Sequence, residues 1–221
     1  MAVHLGRLSP QGGVHLCMCI LLPLGQNVQT YLRKYGTCGP DLPLHCPGCG
    51  GRMRRHGRYW RWVFTAHQKA YIPIYRWWCP GCRKTCAILP DFLKPYARFI
   101  TLVREAVVRG RVRRGLPWST LARRLSSPTV SWLSEKTLRR WLVRARALAG
   151  EWSQYLAERV LRFWPDTDLD ALTPRREGPD AALHFLLDVG DWYRRQMGRR
   201  PEEHGGVFAA LNRLGEGTAS L

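Results

Sequence analysis

The chain has 221 residues, 45% of them hydrophobic, and its 35 Lys and Arg against 16 Asp and Glu leave a net charge of +19. The length fits one domain or two small ones and the apolar fraction supports a packed core. No apolar stretch approaches the ~18 residues a membrane-spanning helix needs. The charge is also unevenly placed. Residues 46–150 hold 23 basic residues and only three acids (Asp91, Glu105, Glu135), a net of +20, while the rest is close to neutral. Such a density of like charge calls for a polyanionic partner, so nucleic acid is the expected one. Half of the eight cysteines fall in metal-type pairs, an arrangement that fits a reducing cytoplasm better than a disulfide scaffold.

Residues 1–43 read as a weakly patterned lead-in. The apolar run Val14–Leu24 stops after eleven residues at Pro23 and Gly25, with no cleavage site behind it, so neither an export signal nor a membrane segment is expected. A short helix is predicted over 27–35, with Asn27 as its cap.

The most informative stretch is 44–96. Cys46-Pro47-Gly48-Cys49 and Cys79-Pro80-Gly81-Cys82 repeat the same C-P-G-C turn. Two residues between thiols let one tight turn present both sulfurs to one ion, and a second such turn completes a tetrahedron. One structural Zn²⁺ held by Cys46, Cys49, Cys79 and Cys82 is expected, within a small antiparallel zinc ribbon. Between the pairs, 59–64 and 71–78 have strand composition and 66–69 is the turn joining them. Tyr59, Trp60, Trp62, Trp77 and Trp78 are expected mostly in the core of that small sheet, with base stacking left open for one of them. Cys38 and Cys86 are further thiols within reach of the site, although Cys38 is read rather as a small buried hydrophobe. Residues 89–96 read as a Pro-bounded connector.

The region 97–150 is basic and helical. A helix is predicted over 97–114, weakened near Gly110 and stopped at Gly115. A short helix over 119–125, capped by Ser119, is followed by a turn containing Pro128. A longer basic helix over 134–146 is capped by Ser134. This succession reads as a helix-turn-helix, whose second helix enters the major groove of duplex DNA by its N-terminal end. The expected DNA-binding residues are therefore Lys136, Arg139, Arg140 and Arg144, with Ser134 and Thr137 and, on the preceding helix, Arg123 and Arg124. An amphipathic hairpin with a solvated Arg face is the plainer reading of the same pattern. Residues 151–221 hold further helices over 152–164 and 181–197, an acidic linker with Asp166, Asp168 and Asp170, and a frayed Gly-rich tail. The 181–197 helix offers a face for a homodimer.

The order of parts resembles bacterial transposase-associated proteins with a CPxCG zinc ribbon leading into a helix-turn-helix. Within them it is most similar to an uncharacterised family, domain of unknown function 6431. The resemblance rests on Cys46–Gly50, His56–Arg58, Tyr75–Cys82, Leu89–Phe92 and the 119–146 region. Full transposases of this kind continue into an RNase H-like core with three separated carboxylates. The stretch after Gly150 is too short for that core, and the clustered Asp166, Asp168 and Asp170 do not supply its ligands. The fold class expected is α+β: the zinc ribbon, then an all-α region with the helix-turn-helix, then C-terminal helices. The function expected is non-catalytic DNA binding in a mobile element or a transcriptional regulator. The alternatives are a zinc-ribbon module for RNA or an acidic protein, and a truncated transposase.

Overall fold

The computed structural model describes residues 2–4, 18–25, 27–126, 133–197 and 206–214. Its architecture is mixed α and β. The strands are β1 (Ala2–His4), β2 (Met18–Leu22), β3 (Arg54–Phe64), β4 (Lys69–Trp78) and β5 (Thr85–Pro90), in the spatial order β1-β2-β5-β4-β3. All neighbours are antiparallel except β2 and β5, which run parallel with Met18 opposite Cys86 and Leu22 opposite Pro90. The β3–β4 hairpin closes through 65–68, where the Thr65 hydroxyl accepts from the Gln68 N–H at 3.0 Å.

Two strands depart from the reading of the sequence. The run inside the lead-in is not patternless: 18–22 is β2, whose Cys19, Ile20, Leu21 and Leu22 are all buried. A strand covered on both faces shows no alternation, and that is why it looked like an undirected apolar run. Residues 14–17 of that run lie outside the described residues. Likewise 85–90 is β5, buried from Cys86 to Pro90, where only a connector starting at Leu89 was expected.

One side of β4 is covered by α1 (Val28–Tyr35). Asn27 caps it, accepting from the Thr30 N–H at 2.9 Å, and the Tyr31 hydroxyl donates to the Pro73 carbonyl at 2.7 Å. Beyond β5, α2 (Thr101–Val112) starts four residues later than 97 because 97–100 instead lies beside the end of β3. There Phe64 N–H donates to Arg98 O and Ile100 N–H to Phe64 O. Ile100, Val103 and Val107 of this segment join the sheet core, while Val108 joins a second core of helices.

Next come α3 (Trp118–Leu125) and α4 (Glu135–Phe163). Ser119 does not cap α3; the helix opens one residue earlier, behind Pro117 and with no side-chain cap. The turn around Pro128 lies outside the described residues. Ser134 does cap the following helix, its hydroxyl accepting from the Thr137 N–H at 3.3 Å. The two helices expected over 134–146 and 152–164 are one, continuous through Gly150. Leu138, Leu142, Ala145, Ala149, Trp152, Leu156 and Val160 keep a single buried stripe along its length. That stripe outweighs the roughly 1 kcal/mol a helical glycine costs.

The C-terminal part packs back onto the molecule. Asp168 accepts from the N–H groups of Asp170 and Ala171 and so caps the short helix α5 (Leu169–Leu172), which accounts for one of the clustered aspartates. Helix α6 (Ala181–Gln196) turns Leu183, Leu186, Leu187 and Val189 fully inward against α4. The tail is not frayed throughout: 206–214 forms α7, packed on α2, β1 and β2. Its start is tied down by buried Glu105, which accepts from the Phe208 N–H at 2.9 Å and from Arg109 Nε at 2.7 Å.

Candidate metal centre and basic surface

Each C-P-G-C turn folds by the same local hydrogen bonds. In the first, Cys46 N–H donates to Gly51 O at 2.8 Å; in the second, Cys79 N–H donates to Lys84 O at 2.9 Å. The residue after the second cysteine takes a left-handed conformation in both, Gly50 at φ +70° and Arg83 at φ +54°. Gly50 adopts it without cost, whereas a side chain there carries ~1 kcal/mol of strain. The first turn follows the Leu44–Met53 rung, and the second joins β4 to β5, so the hairpin brings the two together at one end of the sheet.

The result is the expected convergence. The Sγ atoms of Cys46, Cys49, Cys79 and Cys82 all lie within 4.8 Å of one another. Cys46 faces Cys82 at 3.4 Å and Cys49 faces Cys79 at 3.4 Å, much too far for a disulfide. Four thiolates at ~2.3 Å from one tetrahedral ion would be about 3.8 Å apart, so these four could hold one metal ion with small adjustments. The thiols also differ in acidity. The Cys82 N–H aimed at its sulfur pulls Cys79 down to about 6, while the shared hydrogen bond with Cys46 pushes Cys82 up to about 12. One thiolate forms readily while the Cys49 and Cys82 thiols are raised, as expected of sulfurs crowded without a cation. Among the described residues no other group joins them. Cys38 is exposed and Cys86 is fully buried within β5.

The aromatic residues of the hairpin correct another expectation. Trp77 is buried and Trp78 half-buried, but Tyr59, Trp60 and Trp62 are 39–47% exposed. Trp62 pairs with Tyr71 across the hairpin, and Tyr71 stacks against Trp60 with centroids 5.2 Å apart. Arg58 and Lys69 lie over the Trp60 and Trp62 rings. Helix α1 covers β4 around Pro73 and Tyr75, whose hydroxyl donates to Tyr35 O at 2.8 Å, and the 97–100 segment covers Phe64, while Tyr59, Trp60, Trp62 and Tyr71 stay exposed.

The candidate DNA-contacting residues lie on the outer sides of α3 and α4. Arg123, Arg124, Lys136, Arg140 and Arg144 are exposed, and Arg139 is exposed with its guanidinium 3.3 Å from Glu135 and over the Trp118 ring. Ser134 and Thr137 share a 3.0 Å contact between hydroxyls at the helix start. Elsewhere on the basic segment the charges are neutralised from α6. Arg109 and Arg113 pair with Asp188 and Asp191, and Arg146 forms a two-pronged pair with Asp180 at 2.6 and 2.9 Å. The sequence pointed to the basic ribbon and the first basic helix as phosphate-holding elements, but nothing in the local pattern of Lys94, Arg61 and Arg104 marks that the fold gathers them near α4.

A mixed α and β fold with a four-thiol cluster at one end of its sheet defines a small cysteine-knuckle protein. Residues 46–141 match the model of the family described as Domain of unknown function (DUF6431), the family the sequence resembles. The matched stretch runs from the first knuckle cysteine to Trp141, through the β3–β4 hairpin, β5, α2, α3 and the start of α4. Neither a search of curated proteins nor one of solved structures finds a match.

Proposed function

We propose that the protein is a non-catalytic, zinc-stabilised DNA-binding protein that reads duplex DNA through α3 and the start of α4, arranged as a helix-turn-helix. The observation that carries this reading is the partition of the arginines. Those facing α6 are paired with Asp188 and Asp191 or with its cap Asp180, whereas Arg123, Arg124, Lys136 and Arg140 are exposed and form no ion pair with the described residues. Zinc is the metal the donor set favours, because four thiolates in two knuckles select a soft tetrahedral ion. A four-thiolate site leaves no coordination position for water or substrate, so the ion's role is to hold the hairpin. An accessory role in a mobile element or a regulatory one follows from the resemblance to transposase-associated proteins.

The test is titration of a fluorescent duplex with the zinc-loaded protein over a series of salt concentrations. Charge reversal at Arg139 and Arg140 is expected to weaken binding at least tenfold and to flatten the salt dependence by about 0.9 per lost phosphate contact. Binding that ignores both reversals would remove α4 from the interface. A second reading, a module for single-stranded RNA, is favoured by the exposed Trp60, Trp62 and Tyr71. Tighter binding of single-stranded RNA than of duplex DNA, lost in Trp60→Ala, would select it. Trp77 is unsuitable for that test because its substitution would damage the core.

A further inference from the structure

Where β3, the β5–α2 connector, α2 and α4 meet, the fold assembles four cations from four separate stretches of chain. Lys94, in the connector at the opposite end of β5 from the knuckles, is only 4% exposed. Arg61 on β3 donates to the Lys94 carbonyl at 3.1 Å and also to that of Ala97. Arg104 on α2 lies over the Trp141 ring, and its Nε is buried without a hydrogen-bond partner. Arg144, one turn beyond Trp141 on α4, is exposed at the rim.

Among the described residues, no carboxylate pairs with Lys94, Arg61 or Arg104, although seven ion pairs occur elsewhere. The side chains feel one another. Burial, then Arg104 and Arg144, lower the Lys94 ammonium to about 6; burial, then Arg144 and Arg61, lower Arg104 to about 10. Bringing like charges together out of water is unfavourable unless an anion compensates them. Arginine and lysine donors converging from several elements suit a tetrahedral oxyanion through charge-assisted hydrogen bonds.

We propose that Lys94, Arg104 and Arg144, backed by Arg61, form a binding site for a phosphate-type oxyanion, supplied in the working complex by a backbone phosphate of nucleic acid. Only that source rests on the DNA-binding reading; the site itself rests on the cluster. A phosphate held here would run the backbone beside α4 two turns beyond Lys136, fixing the helix relative to the groove without reading sequence.

The zinc-loaded protein, Lys94→Met and Arg144→Gln are melted in inorganic phosphate and in chloride of equal ionic strength. The same proteins then titrate duplex DNA over a salt series. Phosphate is expected to raise the melting temperature of the wild type beyond the chloride control, and this excess is lost in both variants. Lys94→Met melts higher than the wild type in chloride, because folding no longer has to bury an amine that is charged in the unfolded chain. On DNA, Lys94→Met lowers the salt slope by about one and leaves sequence preference unchanged. Arg144→Gln alters an exposed side chain and keeps the comparison decisive if Lys94→Met does not fold. Loss of the phosphate response with an unchanged slope supports the site and assigns it to free phosphate. A phosphate response in a protein that binds no DNA supports the site and defeats the DNA reading instead. An equal phosphate response in all three proteins overturns the proposal.

Discussion

Lys94 shows how far a residue's behaviour can depart from its local sequence. In Leu93-Lys94-Pro95 it looks like an ordinary connector lysine, yet the segment after β5 folds beneath α2 and α4 and takes it out of water. Its proton is held less tightly in the folded chain than in the unfolded one. Between about 6 and about 10.5 the unfolded state therefore binds more protons, and stability rises with pH through that window. The penalty is complete below the lower value and absent above the upper one. Arg104 and Arg144 face the same group and act in the same direction, while Arg61 holds the Lys94 carbonyl. In chloride, unfolding free energies of the wild type at pH 7, 8 and 9 are expected to climb relative to Lys94→Met. The difference should grow by at most about 1.4 kcal/mol per pH unit. Parallel curves for the two proteins would mean that Lys94 keeps its proton on folding, held by water or by a partner. Trp60, Trp62 and Trp77 make the same point about legibility. All three sit in strands of similar composition, and only tertiary packing decides which is buried.

Among the elements, the knuckles and two of the three expected helix caps were the readable parts, because a few neighbouring residues determine each, while Ser119 lies inside α3. Asn27 and Ser134 cap as expected because their oxygens reach N–H groups three residues away. The long elements were harder to delimit. Helix α4 passes through Gly150, and β2 and β5 lack alternation, since in each case tertiary burial overrides the local signal. Gly110 has a purpose that periodicity did not indicate: a Cβ there would lie 2.5 Å from Leu121 Cδ2, so this glycine is what lets α2 and α3 approach. Gly150 has open space around it. Gly110→Ala should then destabilise the protein by about 1–3 kcal/mol through overpacking. Gly150→Ala should stabilise it by up to about 1 kcal/mol through helix propensity. Urea denaturation of the two variants checks both signs, and a neutral Gly110→Ala would mean that the helices can part.

For the whole molecule, the four-cysteine cluster and the aspartates at and within α6 organise separate parts of the surface. The cysteines converge at one end of the sheet, and the site they could offer a metal ion exists only when both turns are folded. Binding free energy at such a site becomes folding free energy. Cys46→Ser and Cys82→Ser are each expected to lose the metal and to lower the melting temperature sharply. Cys38→Ser should keep one metal per chain and melt like the wild type. Elemental analysis alongside thermal melts measures both, and metal retained in Cys46→Ser would place a different thiol in the site. No helix among the described residues is long and apolar enough to cross a membrane. On the helical side, Asp180, Asp188 and Asp191 draw off Arg146, Arg113 and Arg109, so the +20 segment is not uniformly available.

The paired knuckles, their four ligands, the hairpin between them, two helix caps and the basic bias of the segment could be read from the sequence alone. Each follows from spacing or composition within a few residues, where the covalent chain already limits the geometry. Tertiary structure alone decided which tryptophans face solvent, which arginines are neutralised, and that an N-terminal strand completes the sheet beside β5. It also gathered Lys94, Arg61, Arg104 and Arg144 into one place. Those outcomes depend on groups tens of residues apart meeting in space, and burial and electrostatic pairing are properties of that meeting rather than of any single stretch of chain.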